Sequence, residues 1–222
     1  MISKYRRHIL LLTLTIITLG FIALTILVRL HPTSWIDREF SEEIQEHQNV
    51  VIDKVMFLLS TPGYMPEAPI MVTLTSLILF LFKYKKAAVF VLLTMVSGLV
   101  STIVKALVNR PRPSDQMVRI LLKTSQQSFP SGHVLFYVVF FGFLMVLMYQ
   151  LEDVPKAIRY VVGSMSSLFI FLIPVSRIYM GAHWFTDVLG GFLLGILCLY
   201  LLSWLYLRKR AGSQEAPHQE TK

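Results

Sequence analysis

The chain has 222 residues, of which 55% are hydrophobic and 15% are charged, and its mean hydropathy is +0.61. These values exclude an ordinary soluble domain and predict an integral membrane protein. The single cysteine, Cys198, lies in an apolar run and excludes an intramolecular disulfide, so we expect it to serve packing.

Six uncharged apolar runs predict an all-α bundle of six transmembrane helices; they cover residues 9–28, 68–82, 87–104, 134–150, 160–175 and 188–207. The first run is too long for the apolar part of a signal peptide, and no cleavage site follows it, so we expect it to remain as an anchor. The second run is short for a hydrocarbon core of roughly 30 Å. We expect it to recruit residues from the proline-containing segment before it, which leaves its boundary the least defined.

Six crossings place both termini on one side of the membrane. Most basic residues fall on that side, which the positive-inside rule predicts to be cytoplasmic. They are Lys4, Arg6, Arg7, Lys83, Lys85, Lys86, Lys156, Arg159, Arg208, Lys209 and Arg210. The opposite side is acidic in its first loop but basic at residues 105–123 and at Arg177. These outer cations break the rule and therefore require a functional reason.

The polar stretch 37–60 has apolar spacing compatible with an amphipathic helix on the membrane surface, acting either as a lid or as a solvated connection. We expect one membrane domain, residues 1–210, followed by a disordered cytoplasmic tail at 211–222. The small residues of GGFLLG, 190–195, predict helix packing.

Three polar clusters lie at predicted helix ends on the outer face. In the first, KALVNRPRP, Lys105 and Arg112 are seven residues apart and share a helix face until Pro111 and Pro113 end the helix. Taken alone, such cations also suit snorkelling to lipid headgroups.

In the second cluster, SFPSGH, Ser131 and Gly132 precede the free N–H groups of a helix start, which favours a small anion site with His133 at its rim. A lone histidine there is also common as an interfacial side chain. In the third cluster, SRIYMGAHWFTD, Arg177 ends a helix, and His183 and Asp187 are four apart on one face of the next. A carboxylate beside an imidazole fixes its tautomer and stabilises its cation.

Together the clusters supply three cations, a backbone anion site, two histidines and an aspartate, which is the inventory of phosphoryl transfer. No carboxylate cluster suited to Mg²⁺ accompanies them, so we expect no metal and no other cofactor. Two histidines and an aspartate also suit Zn²⁺, but the surrounding cations oppose a divalent ion.

The three motifs, Lys105-x6-Arg112-Pro113, Pro130-Ser131-Gly132-His133 and Ser176-Arg177-x5-His183-x3-Asp187, resemble the complete signature of the type 2 phosphatidic acid phosphatase superfamily, which includes vanadium haloperoxidases. The resemblance covers roughly residues 85–205. Arg110-Pro111 offers a second register for the first motif, but the spacing from Lys105 favours Arg112.

The resemblance implies a role for each residue. Lys105, Arg112 and Arg177 hold the phosphate with Ser131 and Gly132; His183 attacks, oriented by Asp187; His133 is the general acid. The short six-helix form is similar to phosphatidylglycerophosphatases of the B type and undecaprenyl pyrophosphate phosphatases. The resemblance implies that the partners are a lipid phosphate substrate and the bilayer, and that nucleic acid is not a partner. It also implies a multi-pass protein of the cell membrane with its active site on the extracytoplasmic side.

The leading hypothesis is therefore a membrane phosphatase acting on phosphatidylglycerophosphate, undecaprenyl pyrophosphate, phosphatidate or a related lipid. The alternatives are a haloperoxidase, which is not expected to span the membrane six times, and a non-catalytic lipid-phosphate binder or transporter. The presence of both His133 and His183 argues against the binder, because binding alone needs neither an acid nor a nucleophile.

Overall fold

The computed structural model describes residues 2–122, 124 and 126–208, with side chains from Tyr5 onward. This part of the chain forms nine α-helices and contains no strand. The helices are α1 Ile2–Leu30, α2 Trp35–Ile44, α3 Val50–Ser60, α4 Glu67–Leu81, α5 Lys85–Leu93, α6 Val96–Val108, α7 Gly132–Gln150, α8 Lys156–Tyr179 and α9 Phe185–Leu207. A 3₁₀ turn, Thr61–Gly63, follows α3. The tail predicted at 211–222 lies outside the described residues.

The all-α membrane architecture predicted from the sequence is confirmed. Five segments in the described part of the chain are long and apolar enough to cross a bilayer: Tyr5–Leu30, Lys85–Val108, Gly132–Gln150, Lys156–Tyr179 and Phe185–Leu207. A sixth candidate is the pair Val50–Gly63 and Glu67–Leu81, bent by 58°. The second apolar run therefore does recruit the proline-containing segment before it. The resulting candidate span consists of two helical parts that are separated by a break at 64–66. Pro66 has no N–H to continue a helical ladder, which favours the break at this place.

Helix α7 is the centre of the bundle. Every residue from Val134 to Phe143 is buried, because α6, α8 and α9 surround the helix. The glycines of α9 face it: a Cβ on Gly191 would lie 2.6 Å from the Ser131 carbonyl oxygen, and one on Gly195 would lie 2.8 Å from Cβ of Val138. The GGFLLG segment therefore serves close helix packing, in agreement with the sequence prediction.

The stretch 37–60 differs from the single surface helix that we predicted. It forms two helices, separated where Asn49 caps α3 by accepting hydrogen bonds from Val51 and Ile52 N–H. Both helices contact α8, and the end of α3 is fixed to the bundle because Tyr137 Oη donates to the Leu59 carbonyl at 2.6 Å. Some apolar side chains of the two helices, among them Ile44, Ile52 and Met56, pack on the protein, whereas others, such as Val51 and Leu58, are exposed.

The connectivity places the three motifs at one end of the bundle. The end of α6, the start of α7, the end of α8 and the start of α9 lie together there. At the opposite end, the Lys86 ammonium lies 5.0 Å from the Tyr206 ring centroid, and Arg159 donates to the Met148 carbonyl. The start of α1 and the end of α9 belong to this opposite end.

Candidate active site

The first motif reaches the site along a different path from the predicted one. Helix α6 ends at Val108, and Asn109 adopts a left-handed conformation with φ 50°, so Arg112 is not on the helix that carries Lys105. The prediction of a shared helix face was wrong, because the helix ends before the two prolines. Lys105 is buried and donates to the Gln127 carbonyl at 2.8 Å.

The two arginines of the first motif have different environments. Arg112 donates to the Ala182 carbonyl at 2.5 Å, and its Nη1 lies 3.3 Å from Nε2 of His183. Arg110 is completely buried and pairs with Asp37 and Asp187. The register chosen from the sequence thus selects the arginine that meets the site histidine.

The second motif forms the turn into α7. The Ser131 N–H donates to the Asp187 carbonyl at 2.9 Å, whereas Ser131 Oγ is buried and has no partner among the described residues. A Cβ on Gly132 would lie 3.1 Å from Ser101 Oγ and 3.9 Å from Cε of Lys105. Glycine therefore opens the space in which Lys105 meets the start of α7. Nε2 of His133 is likewise unpartnered.

Arg177 is held by residues outside the three motifs. It is 1% exposed, and its Nη1 donates to Tyr64 Oη at 2.7 Å and to Ser60 Oγ at 3.1 Å. Tyr64 also meets the His133 ring edge-on, with 4.6 Å between the ring centroids. We did not predict Tyr64 as a site residue; the only hint in the sequence was its place in the Pro-Gly break between two helices.

His183 and Asp187 approach each other at the start of α9. Nδ1 of His183 lies 3.6 Å from Oδ2 of Asp187, which is longer than a normal hydrogen bond. His183 precedes the helix by two residues, so the approach comes from the turn rather than from the helix face that we predicted. Asp187 accepts from Trp184 N–H at 2.9 Å, from Ser128 Oγ and from Arg110.

Burial and positive charge together control the histidines. Burial, followed by the charges of Arg112, Arg177 and Lys105, lowers the pKa of His183 well below its ordinary value. This direction favours the neutral imidazole, in which one ring nitrogen keeps a lone pair. His133 interacts electrostatically with the same three cations and with His183, so all five groups belong to one site.

Several buried polar atoms in this site lack partners among the described residues: Ser101 Oγ, Ser131 Oγ, His133 Nε2 and Arg177 Nε. Buried polar atoms are usually hydrogen-bonded, so their accumulation beside three cations indicates a place for an anionic ligand. In the same part of the chain, no three His, Cys, Asp or Glu side chains converge as a metal-binding group.

Known proteins resemble the chain in sequence. The model of the PAP2 superfamily matches residues 86–211. Phosphatidylglycerophosphatase B of Bacillus subtilis (strain 168) is 33% identical over 129 residues, 55% of this chain and 60% of that protein. Lipid phosphate phosphatase delta of Arabidopsis thaliana is 30% identical over 115 residues, 48% of this chain and 27% of that protein. The matches thus span only part of each relative's length.

Two crystal structures share the fold. A transmembrane PAP2 type phosphatidylglycerolphosphate phosphatase from Bacillus subtilis has a TM-score of 0.75 at 23% identity, covering 86% of this chain and 94% of that one. Aquifex aeolicus LpxE has a TM-score of 0.57 at 23% identity, covering 74% of this chain and 92% of that one. With the family model matching more than half of its length, the chain belongs to the PAP2 superfamily.

Proposed function

We propose that the protein is a membrane phosphatase that hydrolyses a lipid phosphate or pyrophosphate through a phosphohistidine intermediate. The observation that carries the proposal is the convergence of three cations, two histidines and unpartnered buried donors at one end of a membrane bundle. Cations offset the charge of the phosphoryl oxygens, while an imidazole supplies what a mere binding site does not need, a nucleophile.

The surroundings of the site favour a lipid substrate. Lys105 and Arg177 lie near the ends of helices whose outer surfaces are apolar, and Arg112 lies in the segment after one of them. A phosphate head held among these cations leaves its tails in the bilayer. The names of the relatives favour phosphatidylglycerophosphate, and the short six-helix form also suits undecaprenyl pyrophosphate, with phosphatidate as a third candidate. Soluble phosphate esters lack the tails and are expected to be poor substrates.

The reaction has two steps. In the first, Nε2 of His183 attacks phosphorus and the P–O bond to the lipid breaks. The imidazolium form of His133, which the negative charge of the bound phosphate stabilises, donates its proton to the leaving oxygen. In the second, water attacks the phosphohistidine, His133 takes a proton from it, the N–P bond breaks, and inorganic phosphate leaves. Lys105, Arg112 and Arg177 hold the phosphoryl oxygens throughout, beside Ser131 and the Gly132 backbone.

Asp187 has an electrostatic role in this scheme. The His183 ring becomes cationic as the N–P bond forms, and a carboxylate 3.6 Å from Nδ1 stabilises that charge. Because the cations already offset the charge of the phosphate, the scheme requires no metal ion.

The test is phosphate release by purified protein in detergent. Phosphatidylglycerophosphate, undecaprenyl pyrophosphate, phosphatidate and a soluble ester are each compared in wild type and His183→Ala. We expect the wild type to release phosphate from at least one lipid. This activity should survive excess EDTA, should be lost in His183→Ala and should be inhibited by vanadate, which mimics five-coordinate phosphorus. Binding without release would favour the lipid-phosphate binder, and loss with EDTA restored by Zn²⁺ or Mg²⁺ would contradict the metal-free scheme.

A further inference from the structure

A guanidinium shared by two carboxylates lies directly behind the site. Arg110 Nη2 is 2.7 Å from Oδ2 of Asp37, and its Nη1 is 2.5 Å from Oδ1 of Asp187. All three side chains are 0% exposed. Asp37 belongs to α2, outside the three motifs, and is 150 positions away from Asp187 in the sequence.

Hydrogen bonds fix every part of this cluster. The third guanidinium nitrogen, Nε, donates to the Pro32 carbonyl at 2.8 Å, so all three nitrogens of Arg110 have acceptors. Oδ1 of Asp37 accepts from Thr186 N–H at 3.0 Å and from Thr186 Oγ1 at 2.8 Å. Arg110 is therefore committed to the cluster and cannot turn to bind phosphate, in contrast to Arg112 beside His183.

The charges in the cluster are unequal. With both carboxylates ionised, two negative charges share one positive charge, which leaves one unit of negative charge without a partner. If Arg110 paired with Asp187 alone, the pair would be neutral and would offer little to a cation on His183. Asp37 offsets Arg110, so that Asp187 still presents negative charge to Nδ1 at 3.6 Å.

We propose that Asp37 is a positioning residue for the nucleophile: it acts through Arg110 to keep Asp187 oriented and to leave the cluster with a net negative charge towards His183. The inference rests on the proposed function. As the N–P bond forms and the bond to the leaving oxygen breaks, the His183 ring gains a positive charge that the cluster's excess negative charge offsets. Asp37 touches no reacting atom, so its effect lies in kcat rather than in substrate binding.

The test removes charge in two ways. Asp37→Asn leaves Arg110 to neutralise Asp187, and we expect kcat to fall about 10²-fold with KM within about threefold of wild type. The double variant Asp37→Asn/Arg110→Gln removes one charge of each sign and returns the excess to Asp187. Its kcat is expected to exceed that of Asp37→Asn by about tenfold. A purely structural role predicts the opposite order, because the double variant loses more hydrogen bonds.

Asp53→Asn is the matched control. Asp53 is a carboxylate of the neighbouring helix α3; it pairs with Arg119 at 2.6 Å, accepts from Tyr179 Oη and makes no bond to the Asp37–Arg110–Asp187 cluster. Removal of its charge should leave kcat unchanged. Asp37→Glu keeps the charge and should restore kcat to within about tenfold of wild type. Equal kcat in wild type and Asp37→Asn, or a slower double variant, overturns the inference.

Folding and the proposed function are checked separately. Vanadate-induced stabilisation against thermal unfolding reports an intact phosphate site without turnover, and each variant must retain it. If Asp37→Asn alone does not accumulate, the double variant is compared with wild type, and a folded, vanadate-binding but inactive double variant overturns the inference. A wild type that binds vanadate but releases no phosphate from any lipid refutes the proposed function instead.

Discussion

Nε2 of His183 lies 3.3 Å from a guanidinium nitrogen of Arg112, on the side of the ring away from Asp187. The ring therefore stands between a cation and a carboxylate, with its two nitrogens facing opposite charges. In the proposed reaction the nitrogen beside Arg112 attacks, because an oxyanion held by Arg112 brings its phosphorus to that side. The two arginines of the segment RPRP, residues 110–113, therefore differ in role: Arg112 faces the attacking nitrogen, whereas Arg110 pairs with the carboxylates behind the ring.

Arg112→Gln should lower kcat/KM about 10²-fold while leaving the thermal unfolding temperature within about 2 °C of wild type. The Arg112 side chain donates to backbone carbonyls at the half-buried rim of the site. The substitution should therefore weaken the interaction with the phosphate and leave the packing of the core unchanged. Phosphate release and thermal unfolding in detergent measure the two effects. Arg112→Lys keeps the charge but not the fork geometry and should be intermediate.

Arg110→Gln is compared with Arg112→Gln, and its main effect should be a loss of stability. It leaves two buried carboxylates without their shared cation, a loss of about 3–5 kcal/mol. The unfolding temperature should drop by several degrees or more. If Arg112→Gln proved the unstable variant and Arg110→Gln the stable one, Arg110 would be the better candidate for holding phosphate.

The pKa of His183 should lie below the value of about 6.5 for an ordinary histidine, because burial and three nearby cations disfavour its charged form. The direction of the pH dependence follows from the lowered pKa of a base. The neutral ring persists as the pH falls through about 6.5 and is lost only at lower pH, so acid inactivation from this group begins below that value.

Nitrogen NMR of histidine-labelled protein in detergent measures this pKa without substrate, whose phosphate also ionises near pH 6. The chain has six histidines, and the resonance missing in His183→Ala identifies the one of interest. Bound inorganic phosphate brings negative charge and should raise the pKa. A free-protein pKa at or above 6.5 would contradict the electrostatic description of the site.

Gly191→Ala should weaken the packing of α9 on the second motif. The added Cβ would lie 2.6 Å from the Ser131 carbonyl oxygen and 3.2 Å from Cβ of Val134, so the start of α7 must shift. We expect a loss of about 1–3 kcal/mol and reduced activity. Gly98→Ala is the control, because nothing lies within 4 Å of its added Cβ; it should be neutral or stabilising. Equal loss in both variants would exclude the packing explanation.

The sequence alone supplied the helices and the motifs, because both depend on local signals. Apolar runs set the positions of the helices that cross the membrane, and proline, serine and glycine marked the turn into α7. The spacing between Lys105 and Arg112 selected the arginine that meets His183. These features are readable because each lies within one short stretch of chain.

Features that depend on distant contacts were not predictable in the same way. The Asp37–Arg110–Asp187 cluster joins three segments, and in the sequence Asp37 is one of several acidic residues between the first two apolar runs. Tyr64 reaches Arg177 only because the chain bends between α3 and α4. The single surface helix predicted at 37–60 is instead two helices, whose apolar side chains are partly covered by α8 and partly exposed. An apolar face alone does not specify whether lipid or protein covers it.

The motif end of the bundle is predicted to face away from the cytoplasm. The side shared by the termini carries 12 Lys and Arg residues in the sequence, the eleven named above and Lys222, and the motif side carries nine. Setting aside the proposed phosphate ligands, Lys105, Arg112 and Arg177, leaves six on the motif side, so the bias towards cytoplasmic termini sharpens. Placing the site outside would make the protein a recycler of outer-leaflet lipid phosphates.

Cysteine labelling tests this sidedness in a Cys198→Ala background. Single cysteines at Gln116 or Gln126, both exposed at the motif end, should react with an impermeant maleimide in intact cells or spheroplasts. One at Lys85, exposed at the opposite end, should react only after the membrane is opened. Ala182 is 2% exposed and is unsuitable as a labelling site. The reverse labelling pattern would place catalysis in the cytoplasm and would assign the protein to inner-leaflet lipid synthesis, because its phosphate site could then reach only lipids of that leaflet.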